Sequence, residues 1–430
     1  MVSGSEQAVV VPTTATTTAT SSATSTATAT SAAIATATAS ASAVNELAAE
    51  LARITTRPWS LMEVCGGQTH AIVRWGLDQL LPPGMRLLHG PGCPVCVTPA
   101  ATIDAALELA RRPEVILCSY GDMLRVPGSH PAGGEDLLGV RAAGGDVRLL
   151  TSPLQALELA RRHPERQVVF LAVGFETTAP ATALLARQGL QLGLANLSLL
   201  MAHVRVVPAM AALLEGGDHQ VQGFLAAGHV AAVMGTAELR QLVERQRLPV
   251  VVTGFEPLDL MRGVLACVRQ LEAGEARLQN AYGAVVRQQG NPPARALLAE
   301  VFEPCDRHWR GLGLLAGGGL ALRGPYQQLD ARRRFAITAA TPTPAGSDVW
   351  PSAIRTDPGD DRFDPAAAVS PLAEAGQPLE SPCIAGAVLR GVARPSDCPA
   401  FGSCCTPDHP LGAPMVSSEG ACAAYHRYRR

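Results

Sequence analysis

Short apolar, β-branched runs alternate with helix-forming stretches over most of the chain. SLMEV gives way to a helical pattern through about Leu80, RLLHG precedes a helix from Pro99, and EVILCSY, QVVFLAVG and LPVVVTG are further runs, the last leading into a helix from about Pro257. Strands and helices that alternate in this way predict α/β units on largely parallel sheets. The chain also echoes itself: ALELARRPEVILCSYGD (106–122) is followed by ALELARRHPERQVVFLAVGFE (156–176), and the GFE that closes the second returns in GFEPLD (254–259). Each echo ends a run in a polar turn, and in open parallel sheets the carboxyl ends of strands are where ligands bind. The echoes support two related α/β halves.

The pattern sets the expected boundaries. Residues 1–44 are almost all Ala, Thr, Ser and Val with Glu6 as the only charge, and read as a disordered extension. An α/β domain over 45–150 and a second over 151–338 follow, with the chain free to cross back to the first. Residues 339–382, rich in Pro, Ala, Asp and Gly, read as a linker or insert. The segment 383–430 is cysteine-rich and too short for a large core of its own, so it needs a staple such as a metal.

Composition narrows the function. A net charge of -2 gives no electrostatic reason to expect nucleic acid or an anionic membrane as partner. No apolar run approaches the roughly 20 residues of a spanning helix. The start of the chain lacks the basic region of a signal peptide and the arginines of a transit peptide, which points to the cytoplasm. In that reducing compartment 11 cysteines do not suit a disulfide framework. Metal binding and thiol redox chemistry become the leading explanations for clustered thiols.

Cys65, in MEVCGGQTHAI, falls where a strand gives way through two glycines to a helix. Helix N-terminal amides stabilise a thiolate there, and lowering its pKa from about 8.5 to about 6.5 would raise the thiolate fraction at neutral pH from a few per cent to roughly three quarters. His70 is expected to face the same pocket or to be a hydrogen-bonded structural residue. Cys93 and Cys96 lie in GPGCPVCVTP before a helix that Thr98 and Pro99 would open. A dithiol so placed suits thiol–disulfide exchange, although the same spacing serves half a zinc site or nothing at all. Cys383, Cys398, Cys404, Cys405 and Cys422 are spread singly along the tail, an arrangement that suits a cubane reached from separate loops better than the paired knuckles of zinc. Cys404 and Cys405 compete for one corner, and spacing does not choose between them. Cys118, Cys267 and Cys305 read as buried small hydrophobes. GLGLLAGGGL (311–320) lacks the order of a phosphate loop and reads as backbone flexibility or close packing.

Taken together, CGGQTH (65–70), GPGCPVC (90–96), YGDMLRVPG (120–128), GFETTAP (174–180), GFEPLD (254–259) and the cysteine tail resemble the HypD family of hydrogenase maturation proteins, from about Asn45 to Arg430. The resemblance implies two similar α/β domains and a C-terminal [4Fe–4S] domain whose ligands fall on Cys383, Cys398, Cys405 and Cys422, leaving Cys404 outside. It implies a redox pair at Cys93 and Cys96 and an iron site at Cys65, on a scaffold for the Fe(CN)2CO unit of nickel–iron hydrogenases. Its partners would be a small HypC-type chaperone and a HypE-type cyanide donor. Ala385 and Pro414 stand where many relatives are expected to carry further cysteines, and AAGH (226–229) replaces a PGH context. A self-standing iron–sulfur thiol–disulfide oxidoreductase, which would need Cys93 and Cys96 but not Cys65, and a zinc-stapled interaction protein are the rival readings.

Overall fold

A computed structural model describes residues 41–129, 135–215, 219–337 and 383–429. Residues 1–40 of the expected extension and the 339–382 insert lie outside the described residues, while residues 41–44 are helical. The chain divides into two units, Met1–Glu46 and Leu47–Arg430, and the second carries every candidate thiol.

Two parallel sheets form the second unit's core. In the first, β1 (Ser60–Glu63), β2 (Arg86–His89), β7 (Gly223–Ala227), β8 (Val250–Thr253) and β9 (Leu278–Asn280) lie in the order β2-β1-β7-β8-β9. In the second, β3 (Val115–Ser119), β4 (Val147–Leu149), β5 (Gln167–Gly174) and β6 (Leu197–His203) lie in the order β4-β3-β5-β6. All of these pairings are parallel. β3 and β6 are buried along their whole length and β5 at every position after Gln167, as parallel strands covered by helices on both faces must be. Burying each large aliphatic side chain contributes about 1.5–3 kcal/mol.

The two sheets repeat one topology. In each, the first strand in sequence sits inside, the second outside it, and the next two extend the sheet the other way. The inner pairs β1/β7 and β3/β5 are therefore topological switch points, where flanking connections diverge and leave a crevice. The expected division at residue 150 does not follow these sheets. β3 and β4 join β5 and β6, and the chain then returns to the first sheet with β7. The longer echo explains the difference. Its two copies are helix–strand units, Ala100–Ala110 with β3 and Gln155–Arg162 with β5, separated by the helix Leu137–Ala142 and β4, and β3 pairs with β5 in one sheet. The GFE turns likewise end non-equivalent strands, β5 inside the second sheet and β8 one strand out from β7 in the first.

GLGLLAGGGL opens in a turn and then packs closely, the second of the two expectations for it. Most of it is β11 (Gly313–Leu322), antiparallel to β10 (Phe302–Trp309). A side chain at Gly319 would strike Arg307, and Trp309 Nε1 donates to the Gly318 carbonyl at 2.9 Å, so the glycines serve close packing. Cys305 lies on β10 and is partly exposed, unlike Cys118 and Cys267, which are buried as expected.

The tail (383–429) carries short helices Ala385–Leu389, Ala413–Val416 and Ala421–Tyr428. The YGDMLRVPG turn after β3 grips it. Arg125 donates to the carbonyls of Val416 (2.8 Å) and Pro407 (3.3 Å), and Ser417 Oγ donates to Asp122 (2.7 Å).

Candidate metal and thiol centre

Cys65 sits at the switch point of the first sheet, in extended conformation immediately before the helix Gly66–Trp75. Its amide donates to Glu63 at 2.9 Å, while its carbonyl receives the amides of Gln68 and Thr69. Gln68 Nε2 reaches the Ala226 carbonyl on β7 at 3.3 Å, so the turn is tied across the crevice. A side chain at Gly67 would meet the ring of Phe255, which stacks on His229 with centroids 3.8 Å apart. Cys65 is only partly exposed, and its thiol departs from the expected direction. Burial pushes it up to about 12; the amides of Gly67 and Gln68 lower it, as a helix start should, but Glu63 and Glu419 add to the rise. In the metal-free chain Cys65 is a protonated thiol, which a bound cation would have to deprotonate.

Glu63 is the charged end of the buried strand β1. It is fully buried, and its oxygens hold the Cys65 amide, the Thr69 hydroxyl and His89 Nδ1, the last at 2.8 Å. Tyr425 of the tail meets the other nitrogen of His89 at 3.3 Å. A carboxylate that closes a buried strand is the signal for this network in the sequence. His70 is hydrogen-bonded to the tail, in keeping with the second of its two expected roles. Its Nδ1 lies 3.2 Å from the Ser418 carbonyl and its Nε2 3.2 Å from the Tyr428 hydroxyl, so both nitrogens engage the tail.

Cys93 and Cys96 follow the neighbouring strand β2 and are joined by a disulfide. They precede the helix Ala100–Ala110, as expected, but a single helical turn intervenes, which begins after Cys93 and contains Cys96. Cys93 caps the single turn Pro94–Val97, its sulfur accepting the Cys96 amide at 3.1 Å, and the longer helix begins at Ala100 after Pro99. The pair is buried. The amide of Gly66 bonds to the Gly92 carbonyl at 2.8 Å, which locks the GPGCPVC loop against the Cys65 turn. The short helix also packs against β5 and the tail helix Ala413–Val416, so it lies where both sheets and the tail meet.

In the tail, Cys383, Cys398, Cys405 and Cys422 line one cavity together with Ile384, Phe401 and Met415. Cys404 is exposed and is not among the lining residues. Burial raises the Cys422 thiol, and Cys383, Cys405 and Cys398 raise it further, as converging sulfurs do. Among the described residues no group of three or more His, Cys, Asp or Glu is placed to hold a single metal ion. A cubane makes a different demand, because each thiolate binds its own iron and the sulfurs must surround a volume. Four thiols around one apolar cavity fit that demand.

The crevice of the second sheet carries GFETTAP. Glu176 is buried and accepts the Val206 amide at 3.1 Å; burial pushes its carboxyl up to about 7, opposed by backbone amides and Arg205. His203, also buried, lies 2.9 Å from the Thr182 hydroxyl, and burial lowers its pKa to about 4. No helix among the described residues is long and apolar enough to cross a membrane.

Comparison with known proteins agrees with the arrangement. A family profile described as HypD, hydrogenase formation hypA family, matches residues 39–350 and 349–429. The chain is similar to the hydrogenase maturation factor HypD of Azotobacter vinelandii, 44% identical over 394 residues that cover 90% of this chain and 94% of that protein. It is also similar to those of Rhodobacter capsulatus, 42% identical over 386 residues (90% and 93%), and Escherichia coli K12, 41% identical over 390 residues (90% and 94%). With identity of this level over nearly the whole length, and the quoted motifs gathered at the sheet crevices and the tail, the chain belongs to the HypD family.

Proposed function

We propose that the chain acts in hydrogenase maturation as the scaffold on which the Fe(CN)2CO unit of nickel–iron hydrogenase is assembled. Iron, the cargo, is received at Cys65 beside Cys93 and Cys96, with a HypC-type chaperone completing the site and a HypE-type protein supplying cyanide. Soft thiolates suit an electron-rich iron that carries cyanide and carbonyl. Cys383, Cys398, Cys405 and Cys422 hold a [4Fe–4S] cluster, which supplies one-electron redox capacity when bound. The carrying observation is adjacency: Cys65 and the Cys93–Cys96 pair follow neighbouring parallel strands, and Gly92 lies against the Cys65 backbone. Glu63 anchors the Cys65 turn, and Phe255 and His229 flank it.

The test is Cys65→Ala, co-expressed with the partner proteins and purified without oxygen. The variant should keep visible iron–sulfur absorbance yet lack the infrared bands of iron-bound cyanide and carbonyl. Bands of normal strength would overturn the assignment of Cys65. The Cys93–Cys96 disulfide favours one alternative, an iron–sulfur thiol–disulfide oxidoreductase acting on other proteins. On that reading Cys65→Ala would leave disulfide exchange with a protein substrate untouched, and the wild-type chain would show no cyanide bands.

A further inference from the structure

The turn between β10 and β11 reaches across the molecule. The Arg310 amide donates to the Val97 carbonyl at 2.8 Å, at the end of the helical turn that holds the disulfide. The next residue, Gly311, has φ +82°, and a side chain there would come within 2.8 Å of Gly386 in the first helix of the tail. Arg390 of the tail donates to the Gly311 carbonyl, also at 2.8 Å. Two consecutive residues thus clamp the disulfide helix to the cluster segment.

Arg310 brings a charge into that clamp. Its Nε and Nη2 are closed off from solvent and meet no acceptor among the described residues. A guanidinium so placed costs free energy unless something negative answers it. Burial lowers its pKa, and Cys383 and Asp104 are the groups that pull it back up. Asp104 is already bonded by the amide and hydroxyl of Ser129, at 2.8 and 2.6 Å, which leaves the Cys383 side of the cavity as the natural partner.

We propose that Arg310 is a positioning residue for the cluster, supplying the counter-charge at Cys383 while its turn fixes that charge between the disulfide helix and the tail. The inference rests on the [4Fe–4S] reading. Four thiolates leave the assembly negative, and reduction adds one more negative charge, so a fixed cation on one side favours the reduced state.

The experiment is anaerobic redox titration of the full chain with dithionite, following the cluster by visible absorbance and electron paramagnetic resonance, for wild type, Arg310→Lys and Arg310→Met. Arg310→Met should retain iron and sulfide but lower the reduced-to-oxidised ratio at fixed potential by about tenfold, which is about 59 mV for a one-electron couple. Arg310→Lys should stay within about threefold of wild type. If Arg310→Met fails to hold the cluster, retention of cluster and ratio by Arg310→Lys still supports the charge role, and loss in both variants overturns it. An intact cluster with an unchanged ratio in Arg310→Met overturns the inference alone. A wild-type chain without iron and sulfide overturns the cluster reading and the inference with it.

Discussion

Gly92 lies so close to the backbone of Cys65 that any side chain at position 92 would overlap the Cys65 amide nitrogen and α-carbon. The contact explains why the GPG that precedes the thiol pair ends in glycine, although Gly92 needs no left-handed backbone. It also couples two loops that leave neighbouring strands. Gly92→Ala should push the CPVC loop away from the Cys65 turn and cost about 1–3 kcal/mol, the usual range for overpacking a tight contact. Thermal denaturation of the variant should show a lowered midpoint, and an unchanged midpoint would mean the two loops are free to separate.

Cys404 and Cys405 are neighbours with opposite surroundings. Cys405 is 6% exposed and lines the tail cavity, whereas Cys404 faces solvent. On the proposed cluster reading, Cys405→Ser should abolish bound iron and sulfide and loosen the tail, because a small segment folded around a metal loses its order with the ligand set. Cys404→Ser should keep both. Iron and sulfide analysis per chain checks this, and equal losses in the two variants would refute the ligand assignment.

The thiol of Cys65 titrates near 12 in the metal-free chain, since burial and the nearby carboxylates Glu63 and Glu419 outweigh the amides at the helix start. At pH 8 the reactive thiolate is then about one part in ten thousand. Peptide mass spectrometry after iodoacetamide pulses should show Cys65 alkylation in iron-free protein climbing about tenfold per pH unit between pH 7 and 9. A plateau reached near pH 7 would restore the activated thiolate that the helix position alone suggests.

Glu176 makes stability depend on pH in an unusual sense for a carboxylate. Its folded carboxyl titrates at about 7, raised from 4.5 chiefly by burial, so across that interval the folded state keeps a proton that the unfolded state releases. Stability therefore falls as pH rises from about 4.5 and the deficit is complete above about 7, by at most about 3 kcal/mol. Glu176→Gln keeps an acceptor for the Val206 amide and removes the titration. Paired urea melts should show the variant's advantage over wild type growing from pH 5 to pH 8. His203 works in the opposite direction, because its pKa falls from 6.5 to about 4 on folding and stability is lost as pH drops through that range. The same term is present in both proteins and cancels in the difference. An advantage that does not change with pH would show that Glu176 is ionised in the folded protein.

Much of the architecture was legible along the chain, for a physical reason. β3, β5 and β8 announce themselves as apolar, β-branched runs and β1 and β2 as short Leu/Met runs, each followed by glycine or a polar turn. β6 (LSLLMAH) and β7 (GFLAA) are equally buried but carry no alternation, which is how strands covered on both faces escape a reading based on period. β4 and β9, of three residues each, are too short to leave a pattern. The division into sheets was legible only as far as the allowance that the chain crosses back, because pairing depends on where β7 returns and not on any local property of β1 or β3.

The candidate site divides along the same line. The sequence by itself determined which atoms are present: thiols at 65, 93, 96, 383, 398, 405 and 422, the first three in turns that an α/β sheet presents at its carboxyl edge. Only the tertiary structure decided what surrounds each one. It put Cys405 inside the cavity and Cys404 outside, turned His70 toward Ser418 and Tyr428, set Glu63 against His89, and set Phe255 and Arg310 beside groups far away in the chain. Cys65 shows why such outcomes escape a local reading. Its position before a helix is a matter of adjacent residues, but desolvation and the charge of Glu419, from the far end of the chain, act through space and reverse the direction in which its thiol shifts.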